Sequence, residues 1–217
     1  VTVSYEIVMK SRGEWRKPFL DDVNAVGTVP PEHRTMFRAA CRFASIQVDG
    51  HGLVRRANFD PALDTIRMPR YEDFALPECW MPVFMHELTH WTGHRDRLAR
   101  NFGCAPWSSD YWIEEMTAEL GAMMMTRIMN GQEDPESRKN SKRYLKAYLK
   151  LFEREREARL AYRTALLQSV DAVKMLTGLF RKHGKGRAFA RDMNMKMADR
   201  LTQQAVNETE RILDGCP

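Results

Sequence analysis

The run His86-Glu87-Leu88-Thr89-His90 constrains this 217-residue chain more than any other stretch. It lies in segment 82–92, which reads as a helix. Pro82 suits the first turn, where a missing N–H costs nothing, and Gly93 can end the helix. Helix positions i and i+4 share a face, so the two imidazoles point to one spot. Two neutral His nitrogens can hold Zn²⁺ there at roughly 2.0–2.1 Å each. Glu87 follows the first His and leans toward the open side. There it can take a proton from an attacking water and later deliver it to a leaving group.

A catalytic zinc site needs a third protein ligand, and two arrangements compete. In one, the chain turns at once: His86-x-x-x-His90-x-x-Gly93-x-x-Asp96 has the metzincin spacing, with Asp96 at the third ligand position. In the other, the ligand comes from the next helix, which carries Glu114-Glu115-Met116-Thr117-Ala118-Glu119. Glu115 is the favoured ligand, with Glu114 and Asp96 as alternatives; His94 carries little weight. Glu119 shares a face with Glu115 and can accept a hydrogen bond from a ligating His. Its neighbours Ala118, Leu120, Ala122 and Met123 suggest a packed face, where a carboxylate needs a partner. Tyr111, one turn before Glu115, can hydrogen-bond a developing oxyanion, against a competing role in packing. Met123, Met124 and Met125 read as core filler.

Around this centre the chain reads as α+β, with a small N-terminal sheet and long helices after it. Tyr5–Met9 suggests a short strand, and Lys10–Pro18 is basic and turn-like. Met36, Phe37, Ala40 and Phe43 give 32–44 a helical period. A strand at 45–48, a turn at 49–52 and two short strands between Arg56 and Met68, broken near Pro61, follow. After a loop at 94–108, Ser109 or Asp110 opens a helix to Asn130-Gly131. Asp134-Pro135 begins a third, very long helix to about Leu179. Gly184-Lys185-Gly186 breaks it before a last helix at 187–213. The expected organisation is a lead segment 1–34, a domain 35–179 and a basic helical extension 180–217.

Hydrophobic residues make up 43% of the chain, enough for a core without staples. No apolar run reaches the roughly 18 residues of a membrane helix. Val1–Lys10 does not read as a secretory leader. Cys41, Cys79, Cys104 and Cys216 are widely spaced with no C-x-x-C pair, so a reducing cytoplasm is expected and a disulfide framework is not. The net charge of +5 is uneven. Ten Lys or Arg and three Glu lie in 138–163; seven basic residues and two Asp lie in 181–200. Such stretches suit nucleic acid, against the plainer reading of solvated helix faces with i,i+4 pairs.

The residues after the pentapeptide sharpen the reading. His86-Glu-Leu-Thr-His-Trp-Thr-Gly-His94, Arg97-Leu98-x-Arg100, Phe102-Gly103 and Tyr111-x-x-Glu-Glu115-x-x-Ala-Glu-Leu-Gly-Ala122 follow one another. Upstream stands Phe59-Asp-Pro-Ala-Leu-Asp-Thr-Ile-Arg-Met-Pro69 with Phe74; downstream, Tyr144-Leu-Lys-Ala-Tyr-Leu149. Together, over roughly 35–177, they resemble the catalytic domain of ArdC-type antirestriction proteins, a zincin-like metallopeptidase group of plasmids, phages and other mobile elements. The resemblance implies a gluzincin-like fold, peptidase chemistry and a divalent metal: Zn²⁺, with Mn²⁺ or another ion as the alternative. It carries His86, His90 and Glu115 over as ligands, Glu87 as base and Glu119 behind them. Such proteins usually begin with a single-stranded-DNA-binding domain, for which residues 1–34 are too short. Pro82 departs from the family's usual apolar or Thr residue.

Two functions follow as expectations. One is a peptidase acting on an unidentified protein. The other is a non-catalytic nucleic-acid- or protein-binding antirestriction module with a structural or vestigial metal. Ala188, Phe189, Met193, Met197 and Leu201 fall near helical spacing, so 187–213 is expected to pack on its parent domain or to dock on a second subunit.

Overall fold

A computed structural model describes residues 19–20, 29–49, 56–103, 108–130, 135–184 and 194–214. The expected strand at Tyr5–Met9, the turn-like Lys10–Pro18, Gly50–Gly52, Cys104, Cys216, and Ala188, Phe189 and Met193 lie outside them. Among the described residues, four strands form one sheet: β1 (Phe19–Leu20), β2 (Ser45–Asp49), β3 (Asn58–Asp60) and β4 (Thr65–Met68). The order is β1-β2-β4-β3. β2 and β4 run parallel with Ile46 opposite Ile66 and Val48 opposite Met68, and β3 pairs antiparallel with β4 at the edge. All four of these apolar side chains are buried, as period-two alternation over one core face requires.

Six α-helices complete the described fold: α1 (Arg34–Ala40), α2 (Trp80–Thr92), α3 (Ser109–Asn130), α4 (Pro135–Leu149), α5 (Glu155–His183) and α6 (Met195–Asp214). α2 is the central helix. Every residue of it except His86 is buried, so it must be covered all round. α3, α5, β3 and β4 all pack against it. Trp80 and Phe84 stack at its start with Phe37 tilted against both, and Phe43 meets both Trp91 and Phe180 at its end. Met124 and Met125 are buried in the core, with Met123 packed at its margin. The fold is α+β, with the small sheet first and helices after it.

One expected helix differs from that observed. The long helix from Pro135 is two helices, parted at 150–154. No Gly or Pro marks that break. Phe152 instead packs edge-on against Trp112 of α3 at 5.4 Å between ring centroids, and Arg154 is extended. The last described helix starts at Met195, and positions 187–193 of the expected one lie outside the described residues. It packs on α5 and α3, burying Ala198, Leu201 and Ala205.

Candidate metal centre

α2 and α3 together build the centre. Pro82 sits in the first turn of α2, where its missing N–H breaks no helical bond. The helix then carries His86 and His90 on the face turned to α3. Their Nε2 atoms lie 3.1 Å apart. Glu115 reaches in from α3, one oxygen 3.8 Å from His86 Nε2 and the other 3.6 Å from His90 Nε2. One atom from each of the three residues falls within 4.8 Å of the others.

Each imidazole is held from behind. His86 Nδ1 lies 3.2 Å from Glu119 Oε2, and His90 Nδ1 lies 2.9 Å from Glu114 Oε1. A carboxylate is an acceptor only, so each Nδ1 donates, and in their neutral form the rings turn two Nε2 lone pairs toward each other. Lone pairs at that separation call for a cation beside them. The surrounding carboxylates favour positive charge at the same place, whether a proton or an ion. Burial disfavours a charged His86, yet the Glu119 hydrogen bond and the Glu87, Glu119 and Glu115 carboxylates outweigh it and push its pKa up to about 9. Two nitrogens and one carboxylate are the His₂Glu donor set of a catalytic zinc site. The residues present therefore fit a divalent metal.

Glu87 is buried beside the pair. Burial pushes its pKa up, against the pull of both imidazoles and of a hydrogen bond from the Phe59 backbone amide of β3. Tyr111 faces Glu115 and senses Glu87. Burial and the Glu115 charge push its pKa up to about 12, so it stays a hydrogen-bond donor at neutral pH.

The structure thus brings together His86, Glu87, His90, Tyr111, Glu115 and Glu119. It places the rival ligands elsewhere. The Asp96 side chain is 73% exposed, with its carboxylate 3.5 Å from His94 Nδ1 rather than near the two motif imidazoles. Glu114 turns to the Nδ1 side of His90, where Arg100 forks onto it. Three contributors went unassigned in the sequence. Arg100 braces Glu114. Tyr148 of α4 donates to Glu115 Oε2 at 3.1 Å. Tyr144, one turn earlier, lies close enough to Glu119 and Glu115 that burial and their charges raise its pKa. The Tyr144-x-x-x-Tyr148 spacing, one face of a helix, was the available signal.

The sequence profile of the zincin-like metallopeptidase family matches residues 36–165. Two Escherichia coli proteins named DNA primase TraC are 34% and 33% identical to the chain over 85 residues, 39% of this chain and 8% and 6% of theirs. An uncharacterised protein of Sinorhizobium fredii, y4eC, is 28% identical over 130 residues, 60% of this chain and 42% of that one. Among solved structures, the Mn(II)-bound antirestriction protein ArdC from plasmid R388 is 27% identical. It aligns with a TM-score of 0.47 over 70% of this chain and 52% of its own. The metal-free form gives 26%, 0.44, 69% and 52%. The chain therefore spans less than half the length of these curated relatives.

Proposed function

The chain belongs to the zincin-like metallopeptidase family, and on that premise we propose that it is a metal-dependent peptidase of the antirestriction, mobile-element type acting on a protein target. One observation carries the reading: His86, His90 and Glu115 converge on a single point with the buried Glu87 beside it. The antirestriction assignment rests on the motif run from His86 to Ala122 and its flanks. Zn²⁺ is the proposed ion, held by His86 Nε2, His90 Nε2 and Glu115. When bound, it supplies Lewis acidity, lowering the pKa of a water toward about 7 and polarising a carbonyl oxygen.

The chain's own groups do the rest. Glu87 accepts a proton from the attacking water on its carboxylate and returns it to the departing amine. Its raised proton affinity suits both transfers. The Tyr111 hydroxyl, kept protonated, donates to the oxyanion that develops at the scissile carbonyl. β3 is an edge strand of the described sheet, and its Phe59 amide is turned to Glu87. An extended peptide laid along that edge would pass the base.

The test is cleavage of a quenched-fluorescent peptide library by the zinc-loaded chain. The Glu87→Gln variant should keep its metal and lose roughly 10²–10⁴-fold in rate, the usual weight of a general base. Equal hydrolysis by that variant would sink the proposal.

A second reading, nucleic-acid binding without catalysis, is favoured by one feature. There is no acid between Lys139 and Lys150, and Lys142, Arg143 and Lys146 of α4, with Lys150 just after it, are exposed. On α5, by contrast, Arg154 pairs with Glu157 and Arg159 with Glu155. α4 is thus the proposed polyanion surface within the basic stretch. Low-salt DNA binding that weakens steeply with salt, survives Glu87→Gln and is lost when Lys142, Arg143, Lys146 and Lys150 become Gln would support it.

A further inference from the structure

We propose that Arg100 is a positioning residue for the metal centre: it fixes Glu114, Glu114 fixes the His90 imidazole, and Gly93 is a glycine to make room for it. The inference rests on the metal-site reading above. Arg100 and Glu114 are among the most enclosed charges of the described fold, with side chains 4% and 3% exposed. The guanidinium grips the carboxylate with both arms, Nε to Oε2 at 2.8 Å and Nη2 to Oε1 at 2.9 Å. The same Oε1 accepts from His90 Nδ1. A planar fork on a carboxylate fixes its orientation in a way a point charge does not. The ring that hangs from that carboxylate is aimed accordingly.

Arg100 also reaches back to the motif helix. Nη1 donates to Thr92 Oγ1 at 2.8 Å, and Nη2 to the Thr89 carbonyl at 2.6 Å. It therefore ties the loop after α2 to the last turn of that helix, where a cation is also favoured by the helix dipole. All this occurs in the space beside Gly93. A Cβ there would lie 2.7 Å from Arg100 Nη2 and 2.9 Å from its Cζ. The φ of Gly93 is −78°, which any residue adopts. What the position requires is the missing side chain rather than an unusual backbone. The His90-x-x-Gly93 spacing, which suggests a turn toward a third ligand at Asp96, is accounted for by this packing.

The measurement is Zn²⁺ affinity by chelator competition, together with the visible spectrum of the Co²⁺-loaded protein, which reports the geometry around the ion. Arg100→Gln should bind Zn²⁺ roughly 10–100-fold more weakly, the usual effect of losing a group that orients a ligand. Its Co²⁺ spectrum should shift. Arg100→Lys, which keeps the charge without the fork, should recover only part of the loss. Gly93→Ala retains every donor and should move affinity and spectrum in the same direction; it decides the matter if Arg100→Gln does not fold. Wild-type affinity and spectrum in these variants would overturn the inference alone. A wild-type protein that takes up no Zn²⁺ would overturn the metal reading, and this inference with it.

Discussion

Glu115 offers its carboxylate to two imidazoles while accepting a hydrogen bond from Tyr148. Tyr148→Phe keeps the ring and removes that bond. A hydrogen bond to a charged group contributes about 1.5–3 kcal/mol, so Zn²⁺ affinity should fall about tenfold or more in a chelator competition. Further out, Arg97 lies over the Trp91 ring and pairs with Asp64, tying the loop after α2 to the turn between β3 and β4. The hydrogen bond from Arg97 holds the Asp64 pKa below its ordinary value. A carboxylate depressed by folding contributes stability above its unfolded pKa, about 4, and loses it as the pH falls through the folded value. The melting temperature should therefore fall more steeply with acidification below about pH 5 in the wild type than in Asp64→Asn. At this scale the sequence marks the residues whose relation is local. His86 with His90, and Glu115 with Glu119, are each one helical turn apart, so periodicity alone puts them on a face. Periodicity does not say which of the adjacent Glu114 and Glu115 faces the two Nε2 atoms and which the Nδ1 of His90. Arg100 and Tyr148 arrive from a loop and from another helix, a matter of tertiary packing.

Helices α2 and α3 approach closely where Gly121 meets Thr89. A Cβ on Gly121 would lie 2.6 Å from Thr89 Cγ2 and 2.7 Å from its Oγ1. Alanine normally stabilises a helix interior by roughly 0.5–1 kcal/mol over glycine. At Gly121 that gain should be outweighed, and Gly121→Ala should lower the melting temperature. Gly178 of α5 is the internal contrast: a Cβ there meets nothing within 4 Å. Gly178→Ala should raise it. Thermal denaturation of the two variants gives opposite signs if the α2–α3 crossing is as tight as drawn. The elements were legible where a period or a boundary residue marks them: the spacing of Met36, Phe37, Ala40 and Phe43 for α1, Pro82 and Gly93 for α2, and Ser109 or Asp110 for α3. The α4–α5 break was not, because helix-forming residues run through it, and the Phe152–Trp112 contact found there is a matter of tertiary packing.

For the whole molecule, α6 closes the helical layer. Ala198, Leu201, Thr202, Ala205 and Thr209 are buried, and Tyr162 of α5 bonds Glu208 across the seam at 3.2 Å. Removing residues 194–217 should therefore lower the melting temperature by several degrees, each kcal/mol being worth about 2–4 °C at this size. An unchanged melting temperature together with loss of a dimer in sedimentation would instead assign α6 to a second subunit. None of the described helices is long and apolar enough to cross a membrane.

The proposed ligands span two helices that are already packed together through their own apolar faces. An ion at this point acts as a removable rivet across a joint that stands without it. Chelation should leave a folded protein with a lower melting temperature that settles at a plateau. Added Zn²⁺ should then raise it with the logarithm of the free ion concentration, as linkage to the native state alone requires. Uptake and release of the ion would thereby become a reversible adjustment of stability, open to any cellular process that changes metal supply.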